Sequence, residues 1–156
     1  MIACVTWLSL PSPIGTLTVF AIDNALTVLE WGQAPACDKE PAKILSDAHE
    51  QLSAYFTGKR ERFILNIAPT GSSFLLSVWQ AMSEIPYGET RAYGDIAAKL
   101  NSSARAVGMA CARNPIPIII PCHRVLGSDG RMTGYSGSGG IETKAKLLNL
   151  EGARLI

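Results

Sequence analysis

Three consecutive residues, Cys122, His123 and Arg124, carry the parts of an activated sulfur nucleophile. A thiol attacks carbon only as its thiolate, and a free cysteine, with a pKa near ~8.5, is mostly protonated at neutral pH. An imidazole can take that proton and a guanidinium can favour the anion, so either neighbour could activate the sulfur. In extended chain, however, successive side chains point to opposite faces. His123 therefore needs a bent backbone or a bridging water to serve the thiol beside it. A Cys-His pair alone is a weak signal, and the string Pro121-Cys-His-Arg-Val125 is a stronger one. Cys4, Cys37 and Cys111 lack such neighbours and read as small buried apolar residues. The cysteines form no CxxC pair and the chain shows no export signal, so a disulfide framework is not expected. Nor does the Cys and His spacing show a metal site.

The elements around this triplet must present it. Residues 114–121, Asn-Pro-Ile-Pro-Ile-Ile-Ile-Pro, are apolar and proline-rich. Residues before proline avoid helical backbone, so this segment is expected to run extended and deliver Cys122 at the end of a buried stretch. Upstream, two short helices are expected at about 92–100 and 103–112 across a turn at Asn101-Ser102, with Thr90 and Ser102 or Ser103 as candidate N-caps. That is a helix-turn-helix pattern. The second helix is built mostly of small residues, which let a backbone approach another surface closely, and it carries one long cationic arm, Arg105. Before the pair, Phe74, Val78, Trp79, Met82 and Ile85 mark an amphipathic helix ending at Pro86-Tyr-Gly88. After the cysteine come a turn at Ser128-Asp-Gly130, a glycine-rich loop over 134–140 and a last helix over about 141–151.

The first third of the chain reads differently. Residues 2–8, 17–22 and 26–31 are rich in β-branched and aromatic types and are separated by turn residues, which predicts two antiparallel hairpins. Pro41 opens a helix in which Ile44, Leu45, Ala48, Leu52, Tyr55 and Phe56 recur at helical spacing until Gly58. His49 falls within it and reads as structural, and residues 63–67 are a candidate further strand. Pro69-Thr-Gly-Ser-Ser73 marks a boundary. The fold class predicted is α+β: a small antiparallel β-sheet domain over 1–68, then a mainly helical domain with the helix-turn-helix over 69–156.

Apolar residues make up 47% of the chain and charged residues 17%, which supports a packed core and argues against disorder. The longest apolar run, 116–121, is too short to span a bilayer, and the start lacks a signal peptide's basic region and cleavage site. A monomer of the cytoplasm or nucleoid, with no membrane partner, is the expectation. Net charge is only +1, but residues 99–131 hold Lys99, Arg105, Arg113, Arg124 and Arg131 against Asp129, a local excess of +4. Such a basic segment is a modest pointer to a phosphate-facing surface.

The string Ile120-Pro-Cys-His-Arg-Val125 resembles the active-site motif of the O6-alkylguanine-DNA alkyltransferases, also called methylated-DNA–protein-cysteine methyltransferases. The likeness extends to Ile85-Pro-Tyr-Gly-Glu-Thr90, Tyr93-Gly94, Arg105-Ala-Val-Gly108, Asn114-Pro115, Gly134-Tyr-Ser-Gly137 and Leu150-Glu-Gly152, near-continuous from Ser73 to Gly152. It is looser before that, with Ser12-Pro-Ile-Gly15 and Tyr55-Phe-Thr-Gly58 in the family's order. The stretch between Tyr93 and Arg105 is shorter than in many members, and the loop over 136–140 is longer.

The resemblance implies a ribonuclease-H-like N-terminal domain and a stoichiometric DNA-repair reaction on double-stranded DNA containing O6-alkylguanine. The helix-turn-helix would sit in the minor groove, with Thr90, Ala106, Gly108, Arg113 and Arg124 at the DNA. Arg105 would replace the extruded nucleotide, and Tyr93 would help rotate it out. The alkyl carbon would meet the Cys122 thiolate, made by His123 through water, with Glu151 holding the imidazole. Tyr93 would protonate the departing guanine and Ser136 would hydrogen-bond its oxygen. Asn114 would fix the cysteine loop, and Tyr135, Val125 and Pro117 would line the pocket. No metal or organic cofactor enters this scheme. Three rival readings remain distinguishable: a lesion-binding relative without chemistry, whose members replace the cysteine; a dimeric helix-turn-helix regulator with a sequence preference; and a thiol hydrolase indifferent to DNA.

Overall fold

Residue alternation builds the first sheet. In β2 (Leu17–Ile22), Leu17, Val19 and Ala21 lie two apart and are all fully buried, as one face of a strand should be. β2 pairs antiparallel with β1 (Val5–Leu10) on one side and β3 (Ala25–Trp31) on the other. A bulge lies opposite Phe20/Ala21, where Phe20 pairs with Val28 and Ala21 with Leu26. The extra residue, Thr27, lets Leu26 and Leu29 both reach the core although they are three apart. α1 (Lys43–Phe56) buries Ile44, Leu45, Ala48, Leu52 and Tyr55 in the same core.

The computed structural model describes residues 4–135 and 137–153. It divides into two units, Met1–Thr70 and Gly71–Ile156. The first is this three-stranded sheet with its helix. The strand expected over 63–67 does not form: only Ile67 joins the sheet, by one parallel bridge to Leu26. The reason is local. Gln51 on α1 both accepts from Ile64 N (2.8 Å) and donates to Ile64 O (3.1 Å), so a side chain takes the place of a strand partner.

The second unit is mainly helical. α2 (Ser73–Ser83) starts at Ser72, whose hydroxyl accepts from Leu75 N, and Trp79 Nε1 ties it to Ala110 O at 2.9 Å. A two-residue parallel ladder joins β4 (Arg91–Ala92) to β5 (Val125–Leu126). It sets the start of α3 (Tyr93–Leu100) beside the turn that carries the cysteine. Thr90 does not cap α3, because β4 intervenes; Ala92 is the N-cap and its N–H donates to the Asp95 carboxylate at 2.9 Å. Asn101, at φ +59°, closes α3 in the left-handed conformation, and Ser103 caps α4 (Ala104–Ala112) by accepting from Ala106 N. α5 (Ile141–Leu150) buries Lys144, Leu147 and Leu148.

Residues 114–121 also depart from expectation. They turn instead of running extended: Ile120 N donates to Ile116 O at 2.9 Å and Pro117 bridges to Ile120. Ile118 sits at φ +76°, a left-handed conformation that is costly for a β-branched residue. Asn114 holds the turn from both ends, donating to Ile120 O (2.8 Å) and accepting from Ile116 N (3.0 Å).

Candidate active site

Pro121 has φ −81° and ψ 67°, the inverse γ-turn, which its ring already favours, and Cys122 N donates across it to Ile120 O at 2.8 Å. The chain then enters a 3-10 turn over Cys122–Arg124. Three residues per turn separate neighbouring side chains by about a third of a revolution instead of opposing them. This is the bent backbone that the adjacent Cys-His pair required, and all three side chains are buried.

His123 Nε2 lies 2.7 Å from Glu151 Oε2. Arg124 grips the same carboxylate in a fork, Nε to Oε1 at 2.8 Å and Nη2 to Oε2 at 3.0 Å, while its Nη1 donates to Ile85 O. Gly88 N adds a longer bond to Oε1 at 3.4 Å. Gly88 is at φ +81°, and a Cβ there would stand 3.2 Å from Glu151 O, so glycine allows this approach. Burial drives His123 below its ordinary value of 6.5, against the pull of Glu151. A neutral imidazole facing an Arg-paired carboxylate donates from Nε2, which leaves Nδ1 as the basic nitrogen. Nδ1 is buried and has no hydrogen-bond partner among the described residues.

Cys122 is 4% exposed, yet it lines a cavity of about 450 Å³ together with Tyr93, Gly108, Cys111, Ala112, Thr133, Gly134 and Tyr135. That volume suits a small organic ligand such as a single base. Burial pushes the Cys122 thiol up; the Asn114 hydrogen bond and the Lys144 ammonium pull it down. Asn114 therefore both shapes the turn and touches the sulfur. Burial also raises the Tyr93 hydroxyl, which accepts a hydrogen bond from Thr133 at 3.1 Å. Tyr93 is thus a neutral proton donor at the cavity wall.

The predicted residues fall into groups. Cys122, His123, Glu151, Asn114 and Tyr93 come together in or beneath the cavity, and Tyr135 lines it. Pro117 and Val125 are buried but lie outside the described lining. Ser136 lies outside the described residues. Arg105 and Arg113 are exposed on α4 and its C-cap, and Ala106 and Gly108 are half-buried between them. Thr90 is half-buried ahead of β4, not on α4. Arg124 requires correction: it is 6% exposed and saturated by Glu151 and Ile85 O, so it belongs to the interior and not to a DNA-facing surface.

Two contributors escaped the sequence reading. Lys144 is fully buried, donates to Val125 O (2.7 Å) and Thr133 O (3.4 Å), and lies 5.8 Å from the centre of the Tyr93 ring. Its signal was positional: it shares the apolar stripe of α5 with Leu147 and Leu148. Cys111, read as filler, is a cavity wall three residues from Gly108 on the same helix. Burial, with Cys122 nearby, pushes its thiol up to about 12. Among the described residues no group of three or more His, Cys, Asp or Glu could hold a metal ion, and no helix is long and apolar enough to cross a membrane.

The chain is similar to known proteins over most of its length. Residues 5–69 match the ribonuclease-like domain of 6-O-methylguanine DNA methyltransferase, and residues 73–153 match its DNA-binding domain. A methylated-DNA–protein-cysteine methyltransferase of Methanosarcina barkeri is 47% identical over 148 residues, covering 90% of this chain and 92% of its own. The constitutive enzyme of that name from Bacillus subtilis is 42% identical over 151 residues, covering 90% and 91%. The crystal structure of the Mycobacterium tuberculosis O6-methylguanine methyltransferase superposes with a TM-score of 0.82 at 40% identity, covering 98% of this chain and 96% of that one. The M. tuberculosis protein in complex with DNA also gives 0.82, at 44% identity, covering 94% and 92%. With both of its domains matched end to end, the chain belongs to the 6-O-methylguanine DNA methyltransferase family.

Proposed function

We propose that Cys122 is the acceptor in a single-turnover repair of O6-alkylguanine, taking the alkyl group from a base swung out of double-stranded DNA. The activity is that of a methylated-DNA–protein-cysteine methyltransferase acting in DNA repair. One observation carries the assignment of the acceptor. A buried thiol opens on a base-sized cavity, while the imidazole beside it is kept neutral by burial and oriented by an Arg-paired glutamate.

α4 lies against the duplex, as the M. tuberculosis relative's complex with DNA encourages. Its backbone comes close at Ala106 and Gly108, and Arg113 meets phosphate. Arg105 fills the gap left by the extruded nucleotide. Extrusion costs a few kcal/mol and least for a damaged base, which favours lesions. The Cys122 proton passes through a water to His123 Nδ1, and Glu151 stabilises the resulting imidazolium. The sulfur then attacks the alkyl carbon: the S–C bond forms as the bond to O6 breaks, and the electron pair leaves with guanine. Tyr93 protonates a ring nitrogen of the departing base. The His123 imidazolium then returns the thiol's proton through water to the Tyr93 phenolate. The proton lost by the thiol thus balances the one gained by guanine, leaving a thioether, a neutral purine and both side chains neutral. Asn114 and Lys144 stabilise the sulfur anion, and Ser136 and Tyr135 complete the pocket. Nothing in the scheme reopens the thioether, so each molecule acts once. It works as a monomer, in the cytoplasm or on the nucleoid, and no step calls for a metal or cofactor.

The test is intact mass after incubation with a duplex oligonucleotide containing O6-methylguanine. The expected result is a gain of one methyl group, mapped to the peptide holding Cys122. If Cys122→Ser still gains it, the acceptor lies elsewhere.

A further inference from the structure

Resting on that reading of α4, we infer that Met109 is an apolar wedge against the duplex that positions the lesion at the cavity mouth. The helix divides cleanly. Val107, Ala110 and Cys111 are buried, while Arg105, Met109, Ala112 and Arg113 are exposed along the opposite side. Met109 is one turn beyond Arg105, so the two share a face. The cavity opens along the edge of this face, because Gly108 and Ala112, which flank Met109 in sequence and in space, both line it with Cys122.

A single exposed apolar side chain is ordinary on a protein surface. Met109 differs because of its company. It is 53% exposed, whereas Met82 in the same unit is fully buried. Between Arg105 and Arg113 it alone has both reach and an apolar surface; Ala106, Gly108 and Ala112 are short enough to let a backbone come close. On one side the Arg113 guanidinium suits a phosphate, and on the other Arg105 reaches into the stack. What lies between them in a duplex is sugar and base edge, the environment in which minor-groove proteins insert Met, Leu or Phe wedges to unstack a step. Methionine is unbranched and polarizable, so it adapts to an irregular groove without demanding one sequence. In this role Arg105 enters the stack and Met109 braces the neighbouring step, keeping the extruded base directed toward Cys122.

The experiment compares the full-length chain with Met109→Ala and Met109→Leu. Three quantities are read: single-turnover methyl transfer from a duplex oligonucleotide, transfer from free O6-methylguanine base, and duplex affinity across a salt series. Met109→Ala is expected to slow duplex transfer about tenfold at sub-saturating DNA, with Met109→Leu restoring most of it. Transfer from the free base should not change, since the cavity and thiol are untouched. The slope of log affinity against log salt should also hold, because no charge is removed; Arg113→Ala should reduce it by about 0.9. Duplex transfer by Met109→Ala within about twofold of wild type would overturn the proposal, since loss of a wedge contact exceeds that. So would an equal loss on duplex and free base, which would mark a structural role. If the wild-type chain itself takes no methyl, the reading of Cys122 fails first.

Discussion

Replacing Glu151 by glutamine changes one atom's chemistry and should separate the structural from the catalytic work of this carboxylate. In the wild type the group accepts from Arg124 twice, from His123 and from Gly88. At the 2.8 Å separation of Arg124 Nε and Glu151 Oε1, two unit charges attract by about 6 kcal/mol at an effective dielectric of about 20. Much of that offsets the cost of burying both charges, and removing one partner of a buried pair typically costs about 3–5 kcal/mol. Glu151→Gln should therefore lower the unfolding free energy by about that amount, read by denaturant titration. Its effect on transfer has a different origin. The new amide can present N–H to His123 Nε2, turning the imidazole to the tautomer with its proton on Nδ1, where it can no longer accept one from Cys122. The corresponding tautomer error in a serine-protease triad costs about 10⁴-fold, and a loss of about 10²–10⁴-fold in single-turnover rate is expected here. The double variant Arg124→Met/Glu151→Gln distinguishes the two effects. Removing both charges should recover much of the stability, because apolar replacement of a buried pair is often neutral. The rate should stay low, because the tautomer is still wrong. If Glu151→Gln transfers methyl within about threefold of wild type, Glu151 does not orient the base. If the double variant regains rate together with stability, its role is only to hold the fold.

Two further outcomes follow from the same geometry. Asn114→Ala removes both clamps on the strained turn at Ile118 and a hydrogen bond to the sulfur; it should lose about 2–3 kcal/mol of stability and slow transfer from free base and duplex alike, measured by melting and by intact mass against time. A free-base rate equal to wild type would show that Asn114 does not act on Cys122. For pH, the folded state holds His123 neutral below its ordinary 6.5, while the unfolded chain protonates there. Its contribution to stability is thus full above about 6.5 and is lost as pH falls below it, toward the depressed folded value. The acid limb of the transfer rate should correspondingly lie below 6.5; a midpoint at or above it would mean the titrating base is not this buried imidazole.

Much of this protein was legible from residue order. Period-two burial in β2 and the helical spacing of α1 and α2 are local signals, and they mark elements because a strand or helix must hide one face. Asn101 and Ser103 punctuate the two helices of the turn motif through backbone preferences that operate within a few residues. The Pro-Cys-His-Arg string offered an activated thiol, and its resemblance to the alkyltransferase motif, beyond the residue types themselves, implied the chemistry. What order could not supply was direction and depth. Arg124 counts as surface charge in any tally along the chain; only folding brings Glu151, 27 residues later, close enough to draw its guanidinium inside. Lys144 and Cys111 look like ordinary positions on amphipathic helices until the β4–β5 ladder and α5 close over the same space. The proline-rich segment reads as extended because local sterics favour that, yet Asn114 overrides them with two hydrogen bonds and bends it through Ile118. Local preferences are worth fractions of a kcal/mol, and a buried charge or an unsatisfied amide is worth several, so wherever the two conflict the tertiary structure decides.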